Sequence, residues 1–454
     1  TSDFIGSYIN NLSARMKSVY PEFRLTSQQE KWLGFVLTGI LLTNSINWSA
    51  YSRQSLNNYR IAAISWMFRK SNIAFEELLV MSIIEIISVY DLKEGVLEVD
   101  DTENERSKNA KWLHGLGKVK DKRSGGYFKG QNIVFLVLVT EKVTLPVGFK
   151  FYQNDPDWVA WKKEDERLRK KGVAKPYRPK EIKRDYEKYP TKQSLGIDLV
   201  GEFKAIHQKH FPTFVVKSIL ADCFYGTKQW VIELRMIYPD TQIISQLKKS
   251  QKINIKGKEV NLFDYFRTRT LVKSKVIIRG GKEAKIYYSS VIAKVKAHGE
   301  KRLIIAYKYE GEKELRYLFA TDMTWTVHTI IQVYSLRWLV EVFIQDWKLY
   351  EGWANLSKHI GEDGANSSLR LSLLFDHCLL LHPKQQALIN NNLSAATVGS
   401  LRNFAQQEHT LRIFKHLINL PNPKALLLQW IEAIEDIFIL NPSSKHLVGK
   451  KAIW

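Results

Sequence analysis

Residues 132–140 read Asn-Ile-Val-Phe-Leu-Val-Leu-Val-Thr, a nearly unbroken apolar run rich in β-branched side chains. Such a run is a strand of the buried type, and a strand buried on both faces needs cover above and below. The chain must therefore build layers around it. Glu141-Lys142 makes a turn, and 143–152 returns as a hairpin partner. Upstream, 96–99 is a short strand that ends in Asp100-Asp101-Thr102. Downstream, 195–210 reads as a helix and 214–221 as a strand that ends in Asp222, while Thr227 can cap a helix over 228–235. The centre of the chain is expected to be an α/β layered domain.

The flanks differ from this centre. Residues 1–92 read as helical, with a capped start at Ser27 ahead of 32–42 and helix-like apolar spacing through 61–68 and 78–87. This region suits a DNA-binding module or a plain helical cap. Residues 154–193 are the most charged stretch, with 13 Lys or Arg against 6 Asp or Glu between 161 and 192. They read either as a solvated insertion or as one that tracks a phosphate backbone. Residues 241–321 are strand-rich, a long helix is expected over 327–350, and 364–440 is helical by periodicity. The expected division is 1–92, a core of 93–240 with 322–355, a β-rich block at 241–321, and 356–454.

Composition narrows the function. The formal charge is +22 and 45% of residues are hydrophobic, so the chain is globular and wants a polyanionic partner. Thirteen Trp and 20 Tyr supply stacking surfaces among the cations, which suits nucleic acid better than a membrane. Two cysteines cannot build a disulfide framework or a four-thiolate zinc site, and they suit a reducing cytoplasm. The longest apolar run, 32–42, is 11 residues, against roughly 20 for a span. No basic-then-apolar signal opens the sequence, so neither membrane embedding nor secretion is expected.

Three carboxylates stand out by position. Asp100, or Asp101 beside it, ends one strand and Asp222 ends another. In open α/β sheets reactive groups gather beyond the carboxyl ends of strands. If the two strands are parallel neighbours, their terminal carboxylates converge and repel unless protonated or bridged by a cation. Oxygen-only ligands suit Mg²⁺ or Mn²⁺. The long helix carries the third. On a helical wheel Tyr334, Arg337, Glu341 and Lys348 fall within about 60°, beside an apolar face of Leu336, Val340, Phe343, Ile344 and Trp347. The plainer alternative is a solvated face with an ordinary Arg337–Glu341 ion pair.

The spacing Tyr334-x2-Arg337-x3-Glu341-x6-Lys348 resembles the signature of one family of bacterial insertion-sequence transposases, the cut-and-paste DDE enzymes of the insertion-sequence-four type. Thr102, two residues after Asp100, fits the first Asp motif of that family. Asp222-Cys-Phe-Tyr225-Gly226 fits the second. The resemblance covers roughly 95–352. It implies a ribonuclease-H-like core, with 241–321 as the family's insertion domain. The terminal helical regions would then serve end recognition and dimerisation. It further implies that Asp100, Asp222 and Glu341 are catalytic and hold two Mg²⁺ (or Mn²⁺), activating a water or 3′-hydroxyl for in-line displacement.

Arg337 and Lys348 would neutralise phosphates, with Tyr334 donating a hydrogen bond. In the resembled family cleavage often passes through a DNA hairpin, and an extruded base stacks on an aromatic residue. Trp325 is the candidate here, whereas Trp338 reads as packing. Asp346 and Glu351 read as structural or solvated, and His298, His328, His359 and His377 as satisfied structural histidines. The implied partners are double-stranded DNA, at transposon ends and target, and a second copy of the chain. The competing readings are a ribonuclease-H-like nuclease and a silent DNA-binding derivative.

Overall fold

The computed structural model describes residues 2–55, 58–121, 124–353, 359 and 361–437. Five helices open the chain: α1 (Asp3–Val19), α2 (Ser27–Thr43), α3 (Trp48–Gln54), α4 (Ile61–Lys70) and α5 (Phe75–Val89). Four strands follow: β1 (Glu94–Glu105), β2 (Leu116–Lys120), β3 (Tyr127–Val139) and β4 (Thr144–Tyr152). Then come α6 (Pro156–Lys170), α7 (Lys192–His210), β5 (Val215–Ala221), α8 (Lys228–Ile237) and β6 (Gln242–Gln246). The β-rich block holds β7 (Lys252–Ile255), β8 (Lys258–Asn261), α9 (Leu262–Arg267), β9 (Val272–Ile278), β10 (Lys282–Val295), β11 (Glu300–Tyr309) and β12 (Arg316–Ala320). The chain continues through α10 (Val327–Ser335), α11 (Trp338–Tyr350), α12 (Gly361–Leu380), α13 (Pro383–Asn390), α14 (Val398–Ile418) and α15 (Pro423–Ile437).

One mixed sheet runs through the molecule in the order β2-β3-β1-β5-β6-β12-β11-β10-β7-β8, with β4 on β3 and β9 on β10. Strand β1 is antiparallel to β3 and parallel to β5, and β5 is parallel to β6. The apolar run 132–140 is the buried half of β3, every residue of Ile133–Val139 being buried. Its cover is α7 on one face and α11 on the other. Gly196 of α7 lies against β1, where an added Cβ would stand 2.8 Å from Val99 Cγ1. From α11, Phe343 and Trp347 meet Phe135 with ring centroids at 5.6 and 5.1 Å.

Four differences from the sequence reading have physical causes. The start of α2 is capped by Thr26, not Ser27, because Thr26 and Gln29 exchange the reciprocal bonds of a capping box. Strand β2 and the first residues of β3 lie in a stretch that reads only as polar, because β2 is a largely solvated edge held by backbone pairing. Strand β6 falls inside 241–321, yet it pairs with β5 and so extends the central sheet. The block joins it edge to edge, β12 on β6. The flanking helical regions are not separate either: α12 packs on α5, Tyr90 donates to the Leu380 carbonyl (2.5 Å), and Arg402 of α14 donates to the Leu41 carbonyl (2.5 Å).

The long helix expected over 327–350 is broken. At Leu336–Arg337 the backbone tightens, with Leu336, Arg337, Leu339 and Val340 each donating three residues back. Ser335 drives this locally. Its hydroxyl donates to the Gln332 carbonyl (2.6 Å) and accepts from the Arg279 N–H (3.2 Å), competing with the helix ladder. Val327–Tyr350 is long and apolar enough to cross a bilayer by length and composition alone. The break and the charges of Arg337, Glu341, Asp346 and Lys348 argue against that use.

Candidate active site

The site begins with strand register. Val99 of β1 pairs with Ala221 of β5 in parallel, so Asp100 and Asp222 follow at the same level on neighbouring strands. Alternation along β1 then separates Asp100 from Asp101. Asp100 faces α11, where the Arg337 guanidinium lies 3.4 Å from its Oδ2. Asp101 faces α7, where Lys192 Nζ lies 2.6 Å from its Oδ2 and the Tyr225 hydroxyl donates to its Oδ1 at 3.2 Å. Asp222 accepts the Phe224 N–H (2.8 Å), and its own carbonyl accepts from Ser245 Oγ on β6 (2.7 Å).

This geometry gives the Asp-x-x-Tyr-Gly run a structural reason. Tyr225 is fully buried and reaches Asp101. Gly226 packs so close to β6 that a Cβ would meet Ser245 Oγ at 2.5 Å and the Gln246 carbonyl at 3.1 Å.

The signature residues meet the same strand ends. Arg337 bridges Asp100 and Glu341. Lys348 Nζ donates to Thr102 Oγ1 and to the Glu103 carbonyl, each at 2.6 Å, which ties the far end of α11 to β1. Tyr334 is 4% exposed and donates to the Ala221 carbonyl at 3.4 Å, so it braces the end of β5 while lining the cavity beside Arg337. The helix break explains this, since α10 dips onto the second apolar cluster of Leu220, Ile244, Leu318 and Ile330.

The two tryptophans differ in exposure. Trp325 is partly buried against that cluster. Trp338, read as packing, is 48% exposed, with the Arg279 guanidinium 5.0 Å above its ring. On the wheel Trp338 lies opposite the face through which Val340, Phe343 and Trp347 of α11 are buried. Around it lies a cavity of about 680 Å³ lined by Arg279, Lys282, Lys285, Arg316 and Tyr309, open beside Arg337. Glu283, Glu310 and Glu312 also line it, with Lys285 paired to Glu310 and Arg316 to Glu312, so the cavity holds a mixed charge set beside Arg337.

Burial pushes the Asp100 carboxyl up to about 7, against the pull of Arg337 and a bond from the Asp101 N–H, with Asp101 and Asp222 adding repulsion. Burial pulls the Arg337 guanidinium down, but Tyr334, Glu98, Glu341 and Asp100 outweigh it and hold Arg337 firmly charged. Glu98 escaped the sequence reading. It lies two residues before Asp100 on the same face of β1, fully buried, with neither carboxylate oxygen hydrogen-bonded. Burial drives its carboxyl far up, opposed by Arg337 and reinforced by Asp100, Glu341 and Asp222. The signal that could have found it is a charged residue at a position where strand alternation demands an apolar one.

Among the described residues no three His, Cys, Asp or Glu side chains stand close enough to hold a metal ion. The reason is visible in Arg337, whose guanidinium lies between Asp100 and Glu341. The donor set itself is oxygen only, and the acidic neighbours that raise Asp100 are repelling charges that a divalent cation relieves, so the chemistry fits Mg²⁺ or Mn²⁺.

The other polar residues are structural. His377 bonds Ser82 (2.8 Å) and the Pro146 carbonyl (2.9 Å), His298 the Gly226 carbonyl (3.2 Å), and His328 Ser274 (2.7 Å). His359 packs on Trp48 and Phe68. Glu351 is fully buried beside Asp376, and burial raises both carboxyls.

Parallel strands ending in acids, a helix returning an acid and a cation to them, and a cavity lined by cations and aromatic rings meet in one region of the structure. Residues 191–359 match the family model described as the transposase DDE domain, a stretch that contains Asp222 and Glu341 and begins downstream of β1. The chain therefore carries a transposase DDE domain, which supports an enzyme that acts on DNA, and DDE transposases use divalent metal ions. No curated protein matches the chain.

Proposed function

We propose that the chain is a cut-and-paste transposase of the insertion-sequence-four type. It binds terminal inverted repeats as a homodimer, cleaves them through a hairpin, and joins the ends to target DNA. The core is ribonuclease-H-like, a reading supported by the strand order β4-β3-β1-β5-β6 with its antiparallel and then parallel pairing. It spans 93–246 and 322–355, while 247–321 forms the insertion and the terminal helices bind ends and the second copy.

Asp100, Asp222 and Glu341 would hold two Mg²⁺ or Mn²⁺ ions, which would supply activation of water or a 3′-hydroxyl and stabilisation of the leaving oxygen. Arg337 keeps Asp100 and Glu341 together and carries positive charge for the phosphate at the cut. Lys348 holds β1 and α11 in register through Thr102. Tyr334 is a positioning residue. Trp338, rather than Trp325, presents its ring to an extruded base, because it is the exposed one. The observation that carries the reading is the Val99–Ala221 register, beyond which two carboxylates leave adjacent strands under Arg337 and Glu341.

The test uses a labelled duplex bearing the element's terminal repeat with Mg²⁺, run on a denaturing gel beside Glu341→Ala. Nicked, hairpin or joined products from the wild type alone support the reading. Equal cleavage by both refutes the role of Glu341. Cleavage without joining favours a nuclease, and binding without product favours a silent DNA-binding derivative.

A further inference from the structure

The charged insertion between β4 and α7 is an ordered arm. Asp155 caps α6 by accepting from the Asp157 and Trp158 N–H groups (3.0 Å each), and its other oxygen accepts from the Asp185 N–H at 3.0 Å, closing the arm on itself. Arg178 lies 3.0 Å from Asp165, and Arg184 donates to the Tyr189 carbonyl at 3.0 Å. The arm is also pinned to the site. Lys192 at its end holds Asp101, the neighbour of Asp100, and lies over the Tyr152 ring at 5.5 Å.

Its acids are mostly committed. Glu164, Asp165 and Glu166 pair with cations within the arm, and Asp185 caps the turn at Glu187 and Lys188. Its cations are in surplus. Lys163, Lys175, Lys180 and Lys183 are all exposed and make no ion pair among the described residues. Tyr177 and Tyr186 stand among them at 82% and 62% exposed. Ordered cations interleaved with exposed aromatic side chains, on a scaffold anchored at Asp101 one residue from Asp100, match a phosphate backbone with sugars and bases at its edge.

We propose that this arm clamps the phosphate backbone of duplex DNA next to the cut, through Lys163, Lys175, Lys180 and Lys183. The proposal rests on the transposase reading for its partner, but names a surface outside the catalytic carboxylates. Each contact displaces counterions, so each contributes about 0.9 to the slope of log affinity against log salt.

The experiment compares full-length wild type with the quadruple Lys→Ala and quadruple Lys→Arg variants. Fluorescence anisotropy on the terminal-repeat duplex, across roughly 50–200 mM salt, gives the slope. A slope shallower by up to about 3.6 for Lys→Ala, restored by Lys→Arg, shows that the arm holds the transposon end. An unchanged slope with defective joining of a pre-cut end to a plasmid shows that it holds the target duplex. Unchanged slope and joining overturn the proposal, while Mg²⁺-dependent cleavage that needs Glu341 would still support the transposase reading. Capture of an acidic protein with DNA binding intact would overturn it in favour of a protein partner.

Discussion

With Asp100 as the proposed metal ligand, metal affinity is expected to depend on pH near neutrality. Its carboxyl is pushed up to about 7, chiefly by burial, and a divalent cation must compete with the proton it holds there. Near that value roughly nine-tenths of Asp100 is ionised at pH 8 and roughly one-tenth at pH 6. Mn²⁺ should therefore bind about tenfold more weakly at pH 6, about 1.4 kcal/mol, by isothermal titration calorimetry. Asp100→Asn should lose both the affinity and the pH dependence. Arg337→Met removes the charge that holds Asp100 down, so the midpoint should move to higher pH. A wild-type affinity that changes less than about twofold between pH 6 and 8 would refute the argument. The same shift acts on stability. Folded Asp100 binds its proton more tightly than the unfolded chain does, so metal-free stability should fall as pH rises from about 4 to about 7.

Three further outcomes follow from the packing. Glu98→Gln should raise the melting temperature at pH 8 and lose that gain near pH 4, because the buried carboxyl keeps its proton only in the folded state. A variant less stable than wild type at pH 8 would show that Glu98 is paired as an anion. Lys192→Met should cost about 3 kcal/mol in urea denaturation, since Asp101 and Lys192 are 16% and 17% exposed and the carboxylate is left without its cation. A loss below about 1 kcal/mol would mean that solvent reaches the pair. Gly226→Ala should cost about 2 kcal/mol, with partial recovery in the double variant Ser245→Ala, because the new methyl meets Ser245 Oγ. No recovery would show that the Gln246 carbonyl sets the limit.

Much of the site is legible because its motifs are local. An apolar run that ends in an acid marks a strand end whatever surrounds it, and both Asp100 and Asp222 announce themselves this way. Arg337 and Glu341 are four residues apart, so an i,i+4 contact follows from helix geometry alone. Glu98 was not legible, because one acid in a short strand reads as surface until its face is known. The edge strand β2 was missed because backbone pairing, rather than an apolar pattern, holds it. The burial of Tyr334 was not legible because a wheel assumes a straight helix and Ser335 with Arg279 breaks this one just after it, whereas the exposure of Trp338 follows from the wheel itself, on which it stands opposite the apolar face.

The amino-acid sequence by itself determined the layered α/β centre, the helical flanks, the basic surface and the three carboxylates, since each depends on local pattern or on composition. Only the tertiary structure decided which of two adjacent aspartates faces α11. It also decided that β6 extends the central sheet and that Arg337 stands between Asp100 and Glu341. Those outcomes depend on register and on contacts between residues as much as 237 positions apart, where strand pairing and burial outweigh any local preference.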